Sequence, residues 1–194
     1  MTRRRNSTTD APLLAWGEAL RARAKRRRKL HRFALGIGLG ALALGFTIAF
    51  PPAPRLVWNA SASAPIGLYL VSPGGAILPG DMVIARVPER FRQMAADRRY
   101  LPMNVPLVKR VAARPGDEIC ALGSTIFLDG KPIVQRLERD GKGRPMPRWE
   151  GCIRLRSGQY FLLMTDSPAS FDGRYFGVSQ GSNIIGPARL IWRR

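Results

Sequence analysis

A lysine inside a β-like apolar run and two serines just before a proline are the residues of this sequence best suited to chemistry. Lys109 stands in Pro106-Leu107-Val108-Lys109-Arg110-Val111-Ala112. Strand alternation puts Leu107, Lys109 and Val111 on one face and Val108 and Arg110 on the other, so one of two adjacent cations shares its face with apolar neighbours. Burial depresses a lysine pKa and makes the neutral amine usable as a base. An edge strand with two solvated cations fits the same segment. The serines lie in Asn59-Ala60-Ser61-Ala62-Ser63-Ala64-Pro65-Ile66-Gly67-Leu68-Tyr69. In an extended strand Ser61 and Ser63 face one side, so one could attack a carbonyl while the other donates to the oxyanion. A small-residue linker fits that segment too. A third segment runs from Asp166 to Gly177. There Ser170 could hydrogen-bond a polar neighbour, and the spacing of Asp172 and Arg174 suggests an ion pair within a turn.

Composition narrows the chemistry. The 194 residues contain one histidine and two cysteines. His31 sits among the basic residues Arg21–Arg32, so no histidine follows to serve a Ser-His-Asp triad or a Cys-His dyad. A His-ligated metal site is not expected on the same count, and two cysteines cannot make a Cys₄ zinc site. The expected site therefore uses no metal and no cofactor, and its base is a group other than histidine.

The elements that must carry these residues fall into three zones. Residues 1–32 hold eleven basic and two acidic side chains, +9 of the chain's +19. Phe33 to Phe50 follow without a charge and end at Pro51-Pro52. Eighteen helical residues span about 27 Å, the thickness of a bilayer core. A cleaved signal peptide is the rival reading, with Ala60-Ser61-Ala62 as its cleavage site, but that site lies ten or more residues past the apolar run. The expectation is an uncleaved single-pass anchor in the cytoplasmic (inner) membrane. Positive charge stays inside, which leaves 1–32 in the cytoplasm and 51–194 outside it, in the periplasm. Anionic lipid then suffices as partner for the basic cluster, and no nucleic-acid partner is expected.

Residues 51–194 read as mainly β, with many short strands between glycines and prolines. Strands are expected at Asp81–Val87, Val105–Ala112, Thr125–Leu128, Pro132–Gln135, Gln159–Met164 and Gly186–Trp192, and a short helix near Pro88–Asp97. Asp129-Gly130 between two of these is a strong hairpin signal. Arg136–Glu150 reads as an exposed loop. Cys120 and Cys152 bracket it. Outside the cytoplasm such a pair is expected to bridge, two free buried thiols being the alternative.

Taken together, the three segments resemble the S26 signal peptidase family, and within it the conjugative-transfer peptidases of the TraF type. Asn59…Ser61…Ser63-x-Pro65-x-Gly67-x-Tyr69 is similar to that branch's nucleophile box. Pro79-Gly80-Asp81-Met82-Val83 is similar to its Gly-Asp box, and Lys109-Arg110-Val111 with Pro115-Gly116-Asp117 to its lysine box. Ser170-x-Asp172-x-Arg174-Tyr175-x-Gly177 is similar to the last box. The resemblance implies a mainly antiparallel β catalytic domain behind a transmembrane helix, with a small β insertion at about 120–152. It implies Ser63 as nucleophile, Lys109 as general base, Ser61 as oxyanion donor and Ser170 as the hydroxyl that orients the lysine. Asp172, Arg174 and Asp117 are implied as structural residues near the site. The implied substrate is an exported protein precursor such as a conjugative pilin or another transfer protein. General preprotein processing and a non-catalytic assembly role in a transfer machine are the alternatives.

Two departures stand out. Housekeeping signal peptidases carry Ser-Met-x-Pro, whereas this chain has Ser63-Ala64-Pro65. Gly173 stands where a serine is common, and the Gly-Asp-Asn pattern is not intact around Thr165-Asp166, so no role for Asp166 follows.

Overall fold

The computed structural model of the chain describes residues 11–194. The first ten residues of the expected basic tail lie outside the described residues. The chain divides into two compact units, Met1–Pro52 and Ala53–Arg194.

The described part of the first unit is one helix, α1 (Ala11–Ala49). A division of tail from anchor at Arg32 is not seen in the backbone, because Ala, Leu, Arg and Lys are all strong helix formers and carry the helix through the basic run. By length and composition α1 qualifies as a candidate membrane span, and Pro51-Pro52 follow its end as expected.

The second unit contains eleven strands, all paired antiparallel, in two sheets. The larger sheet uses β1 (Leu56–Asn59), β2 (Gly67–Val71), β3 (Met82–Ala85), β4 (Leu107–Ala113), β9 (Gln159–Leu163), β10 (Ser179–Gln180) and β11 (Ile184–Arg193). Its order is β1-β2-β11-β3-β4-β9-β10. The insertion is a four-stranded sheet of β5 (Glu118–Leu122), β6 (Thr125–Leu128), β7 (Lys131–Gln135) and β8 (Gly151–Arg154), in the order β7-β6-β5-β8. Helix α2 (Glu89–Asp97) precedes β4, and the single turn α3 (Gly173–Phe176) follows β9. Six strands and α2 fall where the sequence places them. β1, β2, β5, β8 and β10 do not announce themselves. Three of the four residues of β8 are exposed, so the strand has no alternation to read.

The strand bearing Lys109 is central. Met82–Ala85 of β3 pairs with Leu107–Arg110 of β4, Val83 opposite Lys109, and Arg110 and Val111 pair onward to β9. Both faces of these strands carry core. Val83, Ala85, Leu107, Val111 and Leu162 pack in one cluster, Ile84, Val108 and Met164 in another. A polar group held there is held rigidly.

In the insertion, Asp129 and Gly130 both take positive φ (46° and 76°), the two-residue turn that joins β6 to β7. Cys120 and Cys152 stand directly opposite each other on β5 and β8 and form a disulfide across 32 positions. Closing a loop of that length stabilises the fold by about 3–4 kcal/mol in the chain-entropy picture. Arg136–Glu150 is the exposed loop expected, with nine of its fifteen residues exposed, but two residues anchor it. Arg136 and Met146 are buried. The Arg136 guanidinium donates to Gly123 O and Trp149 O, and the Leu137 amide donates to Tyr175 Oη. These inward ties hold an otherwise solvent-exposed segment in place.

Candidate active site

The serines sit in a turn between β1 and β2. The segment is a tight turn rather than an extended strand through Ser61 and Ser63, and the Ala64 amide reaches back to Ser61 O. Asn59, buried at the end of β1, explains the turn. Its Nδ2 lies 2.9, 3.1 and 3.0 Å from the carbonyl oxygens of Ser61, Ala64 and Pro65, and its Oδ1 accepts from the Ser61 amide at 3.1 Å. The buried Tyr69 closes the other side by donating from Oη to Pro65 O at 2.9 Å. Gly67 begins β2 at φ 154°, where a Cβ would lie 2.1 Å from Trp192 O. The turn keeps Ser61 and Ser63 on one side after all, with their Oγ atoms 3.1 Å apart.

Lys109 reaches this turn from β4. It is 3% exposed, whereas the adjacent Arg110 is exposed and donates to Gly80 O. Lys109 Nζ lies 2.9 Å from Ser63 Oγ and 2.9 Å from Ser170 Oγ. Burial pulls the Lys109 pKa down to about 8, with Asp172 opposing and Arg174 adding to the shift. A neutral fraction that becomes substantial at mildly alkaline pH follows.

Ser170 is 1% exposed and is held by the corner after β9. Asp172 and Arg174 build that corner, both wholly buried. Arg174 Nε donates to Asp172 Oδ1 at 2.8 Å and Nη2 to Oδ2 at 3.1 Å. The same guanidinium donates to Met164 O and Pro168 O, while Asp172 accepts from the amides of Met164 and Arg174. Every strong acceptor and donor is answered, as a buried pair requires.

Four residues from three places in the sequence thus meet. Ser61 and Ser63 come from the β1–β2 turn, Lys109 from β4, and Ser170 from the corner behind it. Residues 28–193 match the family described as signal peptidase, peptidase S26. The chain belongs to the S26 signal peptidase family. It is 31% identical over 179 residues to a plasmid transfer protein TraF of Escherichia coli, covering 86% of this chain and 99% of that one. It is 30% identical over 176 residues to a probable conjugal transfer protein TraF of Sinorhizobium fredii, covering 86% and 92%. A signal peptidase I of Bacillus subtilis is 27% identical over 95 residues, covering 44% and 56%. A solved signal peptidase I from Enterococcus faecalis aligns over 58% of this chain and 97% of its own, at 18% identity and a TM-score of 0.34. The family and its relatives support a signal-peptidase-like role.

In this S26 chain the four residues border a cleft of about 610 Å³. Its walls are mostly apolar, Val87, Leu101, Leu107, Met146 and Phe171 among them. Two residues lie away from the cleft. Asp117 is not part of the site: its carboxylate accepts from the Arg114 amide and closes the turn from β4 to β5. Asp166 is exposed and accepts only from Thr165 Oγ1. Gly173 has a steric reason. A Cβ there would lie 2.7 Å from Leu162 O and 2.8 Å from Phe161 Cε2, so serine does not fit.

Asn59 and Tyr69 carry no role in the sequence pattern, and in the structure they brace the serine turn. Their signal was available: a buried amide at a strand end, two residues before a serine, has backbone groups within reach and little else. Tyr100, Asp140 and Met146, which also line the cleft, had no local signal.

Proposed function

We propose that the protein is a membrane-anchored serine endopeptidase with a Ser63–Lys109 dyad, removing a leader from an exported precursor. The placement of a buried, pKa-depressed Lys109 at 2.9 Å from both Ser63 and Ser170 carries this reading. In the neutral amine, one N–H donates to Ser170 Oγ and the lone pair faces the Ser63 hydroxyl. Lys109 takes the Ser63 proton as Oγ attacks the scissile carbonyl. The Ser63 amide and the Ser61 hydroxyl, now bonded to each other at 3.3 Å, turn to the developing oxyanion. The protonated lysine then gives its proton to the leaving amine. Water, activated by the same amine, splits the acyl-enzyme and restores Ser63.

The TraF relatives are named for plasmid and conjugal transfer, so the substrate class proposed is a pilin precursor or another protein of a transfer machine. The anchor is α1, with its basic end in the cytoplasm and the catalytic unit in the periplasm. Membrane lipid and the precursor are then the partners.

Cleavage of a candidate precursor in membranes tests this with wild type, Ser63→Ala, Lys109→Ala and Ser61→Ala. Ser63→Ala and Lys109→Ala are expected to abolish processing, and Ser61→Ala to slow it by about 10²–10³. A dead Ser61→Ala beside an active Ser63→Ala would move the nucleophile to Ser61. Equal activity in all four proteins would overturn the dyad.

A further inference from the structure

The cleft that holds Ser63 and Lys109 is also lined by Leu137, Asp140 and Met146 of the insertion, and the mechanism above makes no use of them. This stretch lies outside the four-stranded sheet and keeps its place through polar ties. Asp140 is their hub. Its Oδ1 accepts from the amides of Lys142 and Arg144, both at 2.9 Å. Its Oδ2 accepts from Tyr100 Oη at 2.5 Å and Arg144 Nε at 2.7 Å. Four bonds fill the capacity of a carboxylate. Asp140 therefore has nothing left for a substrate and can act only by positioning.

Tyr100 stands outside the insertion, just past α2, and lines the cleft itself. The Tyr100–Asp140 bond thus ties the main sheet's connection to the insertion at the cleft wall. Arg98 adds a second tie, donating to Pro145 O at 2.7 Å. The buried Met146 sits against the first, its Sδ 3.4 Å from Tyr100 Oη. Around it the wall is apolar, with Leu101, Leu107 and Phe171. A cleft of about 610 Å³ falls in the range of about 300–1,000 Å³ that takes whole small ligands, far more than a small residue at the scissile bond requires.

We infer that Met146, held in place by the Tyr100–Asp140 bond, walls a recess for a bulky apolar side chain of the precursor, and that the insertion thereby selects which precursors are cut. This rests on the peptidase reading and names the specificity of that same site. Tyr100 and Asp140 are positioning residues, whereas Met146 touches the substrate.

The test uses full-length protein in detergent and peptides with a small residue at the cleavage point. Ala, Leu or Phe is placed at each preceding position in turn. Wild type is expected to prefer Leu or Phe at one position by about tenfold in kcat/KM over the all-Ala peptide. Met146→Trp fills the recess. It should erase that preference, so that the Leu and Phe peptides are cut no better than the all-Ala peptide. Tyr100→Phe keeps the ring and removes only the hydroxyl. It should cut the preference about fivefold, through KM rather than kcat, with an unchanged unfolding midpoint. A wild type without a bulky preference at any position overturns the inference. So does a proportional loss on every peptide in both variants. If wild type cleaves no more than Ser63→Ala does, the peptidase reading falls with it; activity without preference overturns the inference alone.

Discussion

Two buried basic side chains, Lys109 bonded to Ser170 and Arg174 in the corner that carries it, are treated in opposite ways. In the corner after β9, Arg174 has a carboxylate in bidentate contact and further carbonyls around it. On β4, Lys109 has two hydroxyls for partners, and the charges acting on it, from Asp172 and Arg174, oppose each other. The first environment is complete for a charged group. The second is complete for a neutral amine. The difference shows how one fold builds both a fixed charge and a proton acceptor from basic side chains. The number of acceptors supplied decides between them.

Breaking the complete environment should have the largest effect. Arg174→Ala leaves Asp172 buried and unpaired, at a cost of about 3–5 kcal/mol in denaturant unfolding. Activity should fall too, because Ser170 loses the corner that holds it. Near-wild-type stability would show that the pair is replaceable.

Neutralising the incomplete environment should act in the other direction. Lys109→Met keeps the stem and removes a buried charge. Its folded pKa of about 8 lies below the unfolded value of 10.5, so folding disfavours the protonated lysine. That penalty is full below pH 8, shrinks as pH rises to 10.5 and then vanishes. The variant should therefore be more stable than wild type by roughly 3 kcal/mol at pH 7, with the gap closing between pH 8 and 10.5. It should not cleave. Wild-type activity should fall about tenfold per pH unit below 8. A pH-independent gap, or a flat rate profile with chemistry rate-limiting, would remove the neutral lysine.

Arg136 sharpens the comparison from a third position. It is buried like Arg174, yet its carboxylate partner Glu150 is half-exposed, and the carbonyls of Gly123 and Trp149 supply the rest. Glu150→Gln should leave the unfolding midpoint unchanged, since backbone acceptors and water keep the guanidinium satisfied. A clear loss would place Arg136 with Arg174.

How much of this was legible in sequence follows the reach of each interaction. Lys109 was readable because adjacent Lys and Arg in an alternating strand must face opposite sides. The Asp129-Gly130 hairpin and α2 were readable for the same local reason. The conformation of the serine turn was not, since Asn59 imposes it with side-chain bonds two to six residues away. The packing of Arg136–Glu150 was hidden further. The segment is a largely exposed loop, and nothing local marks which of its groups turn inward until Gly123, Tyr100 and Tyr175 are brought to them by the sheets. The helix through Arg21–Arg32 was missed because hydropathy divides the segment where helix propensity does not.

The single amide of Asn59 also exposes the site to chemical ageing. Deamidation would replace a donor shared among three carbonyl oxygens by a carboxylate that repels all three. The serine turn would lose its brace while Ser63 and Lys109 stayed intact. An old preparation could thus go silent with both reactive groups unmodified, and the damage would be found at a residue that never meets the substrate's scissile bond.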